Sequence, residues 1–323
     1  MTDAQLAAIV RPDGFLLTRD ARAIGADRLI ERARRDGRLV RLRTGVHMLA
    51  TNWARLTPDQ QYRAHVRAAA LVLRKDAVFS HYSAASLWEL PIIGPWPSAV
   101  HTITTGDAGG RSAPGIIRHT TSAVFNSGIR AGHAVTAVPR TVLDLAMSAP
   151  LASAAAAADR ALRSELTTRD ELQSELNACV SRRGTRQAKY VIDFADGAAD
   201  NGGESLMRLQ LRLLGFPPPR LQHAFFDADG HIGNTDADWP EYGVVLEFDG
   251  KQKYVNDEYT RGRSAADIVL AEKRREDRLR ALGLRVVRIT WADLHDPVRL
   301  ARILEAAGVP RMTATAPMLR ASA

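Results

Sequence analysis

The sequence predicts an α/β chain, α+β overall, divided among several domains. Three observations carry this. The chain has 323 residues, and at roughly 100–200 residues per domain it divides into two or three. Hydrophobic residues make up 46% and charged residues 25%, an ordinary globular composition that excludes wholesale disorder. Segments with helical spacing of apolar residues alternate with short runs of period two, the mark of mixed secondary structure. The expected division is 1–50, 51–195 and 200–311, with a tail over 312–323.

Net charge is +8, from 44 basic and 36 acidic residues, a hint of a polyanionic partner. Residues 1–50 hold 10 Arg against 6 acids, so half of the excess lies in under a sixth of the chain. The single cysteine, Cys179, excludes an internal disulfide and a cysteine-based zinc site. No apolar run approaches the ~20 residues of a membrane helix. Met1-Thr2-Asp3-Ala4-Gln5 lacks the basic start of a secretory signal. The expectation is a cytoplasmic protein with no membrane partner.

In the first part, Thr18 suits the N-cap of a short helix that Gly25 ends. A second helix over 26–36 puts Leu29, Ile30 and Ala33 on one face and Arg28, Arg32 and Arg35 on the other, and Gly37 closes it. Leu39–Arg43 and Val46–Leu49 then read as two strands around Thr44-Gly45. Helix, glycine turn, helix and basic hairpin is the order of a winged helix-turn-helix.

The run Gly25…Arg41-Leu42-Arg43-Thr44-Gly45-Val46-His47 resembles the N-terminal winged helix of the AbiEi family of type IV antitoxin-like proteins. That resemblance covers about 45 residues. It implies DNA binding, with the second helix in the major groove presenting Arg28, Glu31, Arg32 and Arg35, and with Arg41 and Arg43 beside phosphates. Asp27, Glu31 and Asp36 dilute the basic face, and a small protein-interaction domain is the alternative reading.

In the middle part, helices are expected over 64–73 and 80–90, strands near 100–104 and 116–119, a helix capped by Thr141, and an Ala-rich helix over 152–161. Ser80–Trp88 and Arg140–Ala146 are similar to segments of the same antitoxin-like group, which implies shared architecture and assigns no chemistry. His81, Ser83 and Asp144 supply the residue types of a hydrolase triad, but no nucleophile elbow carries the serine. His81 is read as a local hydrogen-bonding residue at a helix start. Residues 196–202 are a linker by composition.

In the last part a helix runs over 204–214, stopped by Gly215 and Pro217-Pro218-Pro219. Strands follow near 221–226, 232–239 and 244–251. In the last of these, Val244, Leu246 and Phe248 fall on one side and Glu247, Asp249 and Lys251 on the other. Pairing across Pro240–Gly243 sets Asp238 against Val245 and Asp236 against Glu247, which gathers Asp236, Asp238, Glu247, Asp249 and Lys251 on one face. Clustered carboxylates repel, and a divalent cation removes the conflict. With a lysine beside them they suit metal-dependent phosphodiester hydrolysis. A polar sheet face is the bland alternative.

Asp238, eleven residues before Asp249-Gly250-Lys251, with Glu204 on the preceding helix, resembles the PD-(D/E)XK nuclease superfamily. Asp238-Trp239-Pro240-Glu241, Glu247-Phe248-Asp249-Gly250, Glu272–Asp277 and Gly283–Trp291 resemble, more narrowly, domains allied to very-short-patch repair endonucleases, over about 200–300. The resemblance implies a restriction-endonuclease-like core binding Mg²⁺ or Mn²⁺. It assigns Asp238 and Asp249 as metal ligands, Lys251 as the catalytic lysine and Glu204 as an added helix acid, with Glu247 the rival of Asp249. The repair relatives carry a histidine shortly after Asp-Gly, where this chain has Lys251-Gln252-Lys253-Tyr254. Catalysis would then lean on Lys251 or on metal-bound water.

Glu204 also suits the first turn of a helix for its dipole alone. Lys273, Arg274 and Arg278 suit either phosphate or pairing with Glu272, Glu276 and Asp277 on their own helix over 264–282. The expected function is a DNA-binding protein with a metal-dependent deoxyribonuclease domain. The alternative is a non-enzymatic regulator or antitoxin-like factor, partnered by a toxin protein encoded nearby, whose nuclease fold is degenerate.

Overall fold

The computed structural model describes residues 6–74, 76–106, 114–181, 183–250 and 265–312. It is a mixed α+β protein with three sheets among the described residues. The chain forms two compact units: Met1–Ser148 with Glu171–Arg183, and Ala149–Asp170 with Gly184–Ala323. The expected boundaries at 50 and 195–200 therefore differ from the observed ones.

The first unit begins with β1 (Leu16–Leu17), the helices Thr18–Ala23 and Asp27–Arg35, then β2 (Leu39–Arg43) and β3 (Val46–Leu49). The three strands form a sheet ordered β1-β3-β2. Ile30 and Ala33 bury the inner face of the second helix against Leu16, Ala21 and Leu39. Thr18 is inside the first helix rather than its cap, and its hydroxyl lies 3.3 Å from His47 Nε2.

The helix Pro58–Ala70 starts earlier than its apolar run suggests because Thr57 and Gln60 form a capping box and Pro58 sits at the first helical position. Its Ala64 and Ala68 pack against Phe15, Leu42, Val46 and Met48. Its Tyr62, Val66 and Ala69 pack against Phe79, Leu87, Val100 and Val135 of the following sheet. One helix with two apolar faces joins what composition separates at residue 50.

That second sheet comprises β4 (Val78–Phe79), β5 (Val100–Thr105), β6 (Ile116–Thr121), β7 (Ser127–Arg130) and β8 (His133–Thr136), ordered β6-β5-β4-β8-β7. The helices His81–Trp88 and Val138–Ser148 accompany it. Thr141 is interior to the latter, where its hydroxyl donates to the Ala137 carbonyl at 3.0 Å.

The second unit carries the helices Leu151–Arg163, Thr185–Phe194 and Gly202–Leu213, then β9 (Arg220–Asp227), β10 (Gly230–Trp239) and β11 (Val244–Asp249). The helix Ala265–Ala281 crosses to β12 (Arg285–Thr290). The order is β12-β11-β10-β9, antiparallel among β9, β10 and β11 and parallel between β11 and β12. Asn201 caps the Gly202–Leu213 helix by accepting from the amides of Gly203 and Glu204, so the expected linker ends in a capping residue. Every residue from Val244 to Phe248 is buried. The alternation read in β11 thus separates two covered faces rather than core from solvent.

Candidate functional site

The register across Pro240–Gly243 pairs Ala237 with Leu246, Asp238 with Val245 and Trp239 with Val244, as the parity argument requires. This register decides which acids meet. Asp238 stands opposite Val245, and Asp249 lies four residues further along β11, about 13 Å at ~3.3 Å per residue. Asp238 and Asp249 are therefore not brought to a common ion. The paired register ends at Ala237 with Leu246, and beyond it the Asp236 Oδ2 accepts from the Phe248 amide at 2.7 Å.

Asp238 is 2% exposed and already has a counter-charge. Arg220, opposite it on β9, donates from Nη2 at 2.6 Å and Nε at 3.2 Å to its Oδ2. His223 Nδ1 lies 3.6 Å from Oδ1. Glu247 is also compensated: Arg275 approaches its Oε1 at 2.7 Å as an ion pair without hydrogen-bond angles, and Arg288 approaches Oε2 at 3.7 Å.

Glu204 is the buried acid with an unusual state. It is 4% exposed. Its carboxylate accepts from the Asp200 amide at 2.8 Å, the Asn201 side chain at 2.6 Å and Gln222 Nε2 at 3.0 Å. Burial, with further pressure from the negative charges of Asp236 and Asp200, pushes its pKa up to about 7. Gln222 reaches it from a left-handed backbone, φ +48°, inside β9, a local strain of the kind found where a side chain must be aimed.

Glu204 thus shares its neighbourhood with Asp236, and Asp236 shares the Arg275 guanidinium with Glu247. Asp236, which the motif resemblance passes over in favour of Asp238, is the one whose charge reaches Glu204. Lys251 and Ser264 lie outside the described residues. Oxygen donors alone, one of them a carboxyl whose pKa burial raises, are the donor chemistry that Mg²⁺ or Mn²⁺ takes. Among the described residues, however, the side chains that reach mutual metal-ligand spacing are His81, His101 and His119.

His81, Ser83 and Asp144 form no hydrolase triad, and His81 hydrogen-bonds locally, as the sequence reading expects. Ser83 Oγ lies 3.1 Å from the Tyr62 hydroxyl and accepts from the His101 amide at 2.8 Å, while His81 Nδ1 meets Ser80 Oγ at 3.0 Å. The two further histidines were not singled out from sequence. The signal was the parallel pairing of β5 and β6: His101 faces Ile117, so His119, two residues on, shares its side.

At the other end of the chain, Arg28, Arg32 and Arg35 are exposed on the outer face of Asp27–Arg35, with Arg32 4.0 Å from Asp36. Arg41 is exposed and donates to Thr44 at 2.8 Å. Arg43 is held elsewhere: its guanidinium donates to the carbonyls of Pro114 at 3.0 Å and Gly115 at 2.6 Å. Its charge is committed to the five-stranded sheet of its own unit.

No family model matches the sequence. The chain is 30% identical over 171 residues to uncharacterized proteins of Mycobacterium tuberculosis, in the CDC 1551 / Oshkosh and H37Rv strains. The match takes in 53% of this chain and spans 60% of the length of those relatives. Among the described residues, no helix is long and apolar enough to cross a membrane.

Proposed function

We propose that this chain is a cytoplasmic DNA-binding protein whose second unit is a metal-dependent deoxyribonuclease of the PD-(D/E)XK kind. One observation carries the reading. The near-neutral Glu204 carboxyl sits against Asp236 of the central meander, beside the β11 acids, in a helix–meander–helix–parallel strand order. Glu204, Asp236 and Asp249 would hold Mg²⁺ or Mn²⁺, which supplies Lewis-acid polarisation of a phosphodiester and of water. Gln222 and Asn201 orient the Glu204 carboxylate by donating to it. Arg275 neutralises Glu247 and so reduces the repulsion that three further carboxylates would feel. Arg28, Arg32, Arg35 and Arg41 would bind backbone phosphates through the helix-turn-helix and its hairpin.

A second reading is favoured by that same Arg275 pair. With Glu247 already compensated and Asp238 tied to Arg220, the sheet face suits a regulator or antitoxin-like factor that binds DNA, or a toxin protein, and does not cut.

Cleavage of supercoiled plasmid with Mn²⁺ separates the two. Nicking by the wild type that disappears in both Asp236→Asn and Asp249→Ala supports the nuclease. Nicking that survives in both assigns it to another site or a contaminant, and no nicking across linear, nicked and single-stranded substrates favours the regulator.

A further inference from the structure

His81, His101 and His119 lie together in the first unit, from three different elements. His81 opens the His81–Trp88 helix with φ +48°, a left-handed backbone uncommon for a residue with a β-carbon. His101 is on β5 and His119 on β6. The rings of His81 and His119 stack with centroids 3.6 Å apart, and His101 Nδ1 lies 2.9 Å from His119 Nε2. One ring nitrogen from each lies within 4.8 Å of those of the other two.

Burial lowers the proton affinity of all three, with each ring's neighbours adding to the effect. His81 falls well below the ordinary histidine value, His101 falls to about 4, and His119 is lowered as well. A neutral imidazole is the form that a metal binds.

The surroundings supply what a ligand cluster needs. His81 Nδ1 faces Ser80 Oγ at 3.0 Å and the Asp144 carboxylate at 3.6 Å, which leaves its Nε2 for a ligand. A carboxylate behind an imidazole is the usual arrangement that fixes the tautomer of a metal-binding histidine. His101 is 7% exposed, and its Nε2 has no hydrogen-bond partner among the described residues. Asp144 Oδ2 is likewise without one. Arg140, the fixed cation nearby, is balanced by Asp144 at 2.8 Å and Glu175 at 3.9 Å, so it does not leave the cluster with an unopposed positive charge.

We infer that His81, His101 and His119 form a site for one divalent transition-metal ion of the zinc class, with Asp144 as the carboxylate that orients His81. Three imidazoles without thiolates select zinc, cobalt, nickel or copper over magnesium. Nitrogens at ~2.0–2.1 Å from a tetrahedral ion stand about 3.3 Å apart, so His101 and His119 part by a few tenths of an ångström on binding, and the His81 and His119 rings, stacked within 12° of parallel, rotate for their lone pairs to converge on the ion. Three protein ligands leave a fourth position for water or another small ligand. This site is separate from the sheet acids and does not depend on the nuclease reading.

The test is made on tag-free, full-length protein stripped with EDTA and titrated with Co²⁺. The expected result is one equivalent bound, with the visible absorption of a tetrahedral nitrogen-rich site, displaced by Zn²⁺ and untouched by Mg²⁺. His119→Gln, at the most accessible of the three rings, is expected to weaken binding at least 100-fold with an unchanged circular dichroism spectrum. Asp249→Ala is expected to leave the cobalt signal as it is. Wild type that shows no saturable binding overturns the proposal. So does tight binding that persists in both His119→Gln and His101→Gln. Should both variants fail to fold, the histidine Cε1 resonances of the wild type decide. Three of them moving together up to one equivalent of Zn²⁺ supports the site, and none moving refutes it.

Discussion

Arg275, on the helix that crosses from β11 to β12, meets Glu247 of β11 at 2.7 Å, and its Nη2 also donates to the Asn234 carbonyl of β10 at 2.6 Å. One side chain therefore ties the crossover helix to two strands. Removing one partner of a buried pair costs about 3–5 kcal/mol, and partial exposure reduces this to about 2–3 kcal/mol here. Arg275→Ala is expected to lower the unfolding free energy by that amount, read from urea titrations as a lower midpoint at unchanged m. Glu247→Gln, which removes the charge along with the pair, is expected to cost less. An Arg275→Ala midpoint equal to that of the wild type would show that the pair contributes nothing.

The raised Glu204 carboxyl gives a pH signature. In the unfolded chain it loses its proton near the ordinary 4.5, and in the fold near about 7. Between those values the folded state holds the extra proton, so the contribution is full below about 4.5 and is lost as pH rises through about 7. The loss is on the order of 3 kcal/mol, at 1.36 kcal/mol per unit. It is read as the difference in unfolding free energy between wild type and Glu204→Gln, from pH 4.5 to 8 in EDTA. A difference that stays flat with pH contradicts the assignment. Mn²⁺ bound at Glu204 is expected to suppress the decline, because a cation favours the ionised carboxylate.

The sequence made much of this legible, and where it failed the reasons are local. The strands Leu39–Arg43 and Val46–Leu49 fall where period two and the Thr44-Gly45 turn put them. The β10–β11 register follows from the length of the Pro240–Gly243 turn and the core parity of Val244, Leu246 and Phe248. The choice of acid did not follow, because motif matching fixes spacing in the chain while an ion requires spacing across the sheet. Asp238 satisfies the first condition, whereas Asp236 is the acid whose charge reaches Glu204. β7, Ser127–Arg130, is exposed on all four residues and so carries no burial pattern to read. The His81, His101 and His119 cluster was hidden because it depends on a parallel pairing and a helix start, neither of which has a local sequence mark.

Gly203 shows how tightly the site is packed. A β-carbon there would overlap the Phe248 ring on β11. Gly to Ala within a helix ordinarily gains up to about 1 kcal/mol. Overpacking a close-packed contact costs about 1–3 kcal/mol, and the obstruction is a buried ring rather than a flexible chain end. Gly203→Ala is therefore expected to destabilise on balance, and to disturb Glu204, the next residue. Adding Phe248→Leu is expected to recover part of the loss in thermal melts. A single variant more stable than wild type would mean that the ring moves aside freely.

The five arginines expected to contact DNA, Arg28, Arg32, Arg35, Arg41 and Arg43, are expected to divide in their response to salt. Each phosphate contact that neutralises a charge contributes about 0.9 to the slope of log affinity against log salt. Arg28, Arg32 and Arg35 project from one exposed helix face, and Arg41 extends from the hairpin. Replacing Arg28 or Arg35 by Ala is expected to lower the slope by about one and to weaken binding to unrelated duplexes alike. Arg32 shares its charge with Asp36 at 4.0 Å, so its variant is expected to change the slope less. Arg43 should behave differently, because both of its terminal nitrogens donate to backbone carbonyls at Pro114 and Gly115. Arg43→Ala is expected to leave the slope unchanged while lowering stability by about 1–3 kcal/mol through the loss of two charge-assisted hydrogen bonds. A fluorescence-anisotropy salt titration on the full chain, paired with melts of each variant, reads both effects. If Arg43→Ala alone lowers the slope, the hairpin arginine is the phosphate contact. If no variant changes it, this surface does not touch DNA.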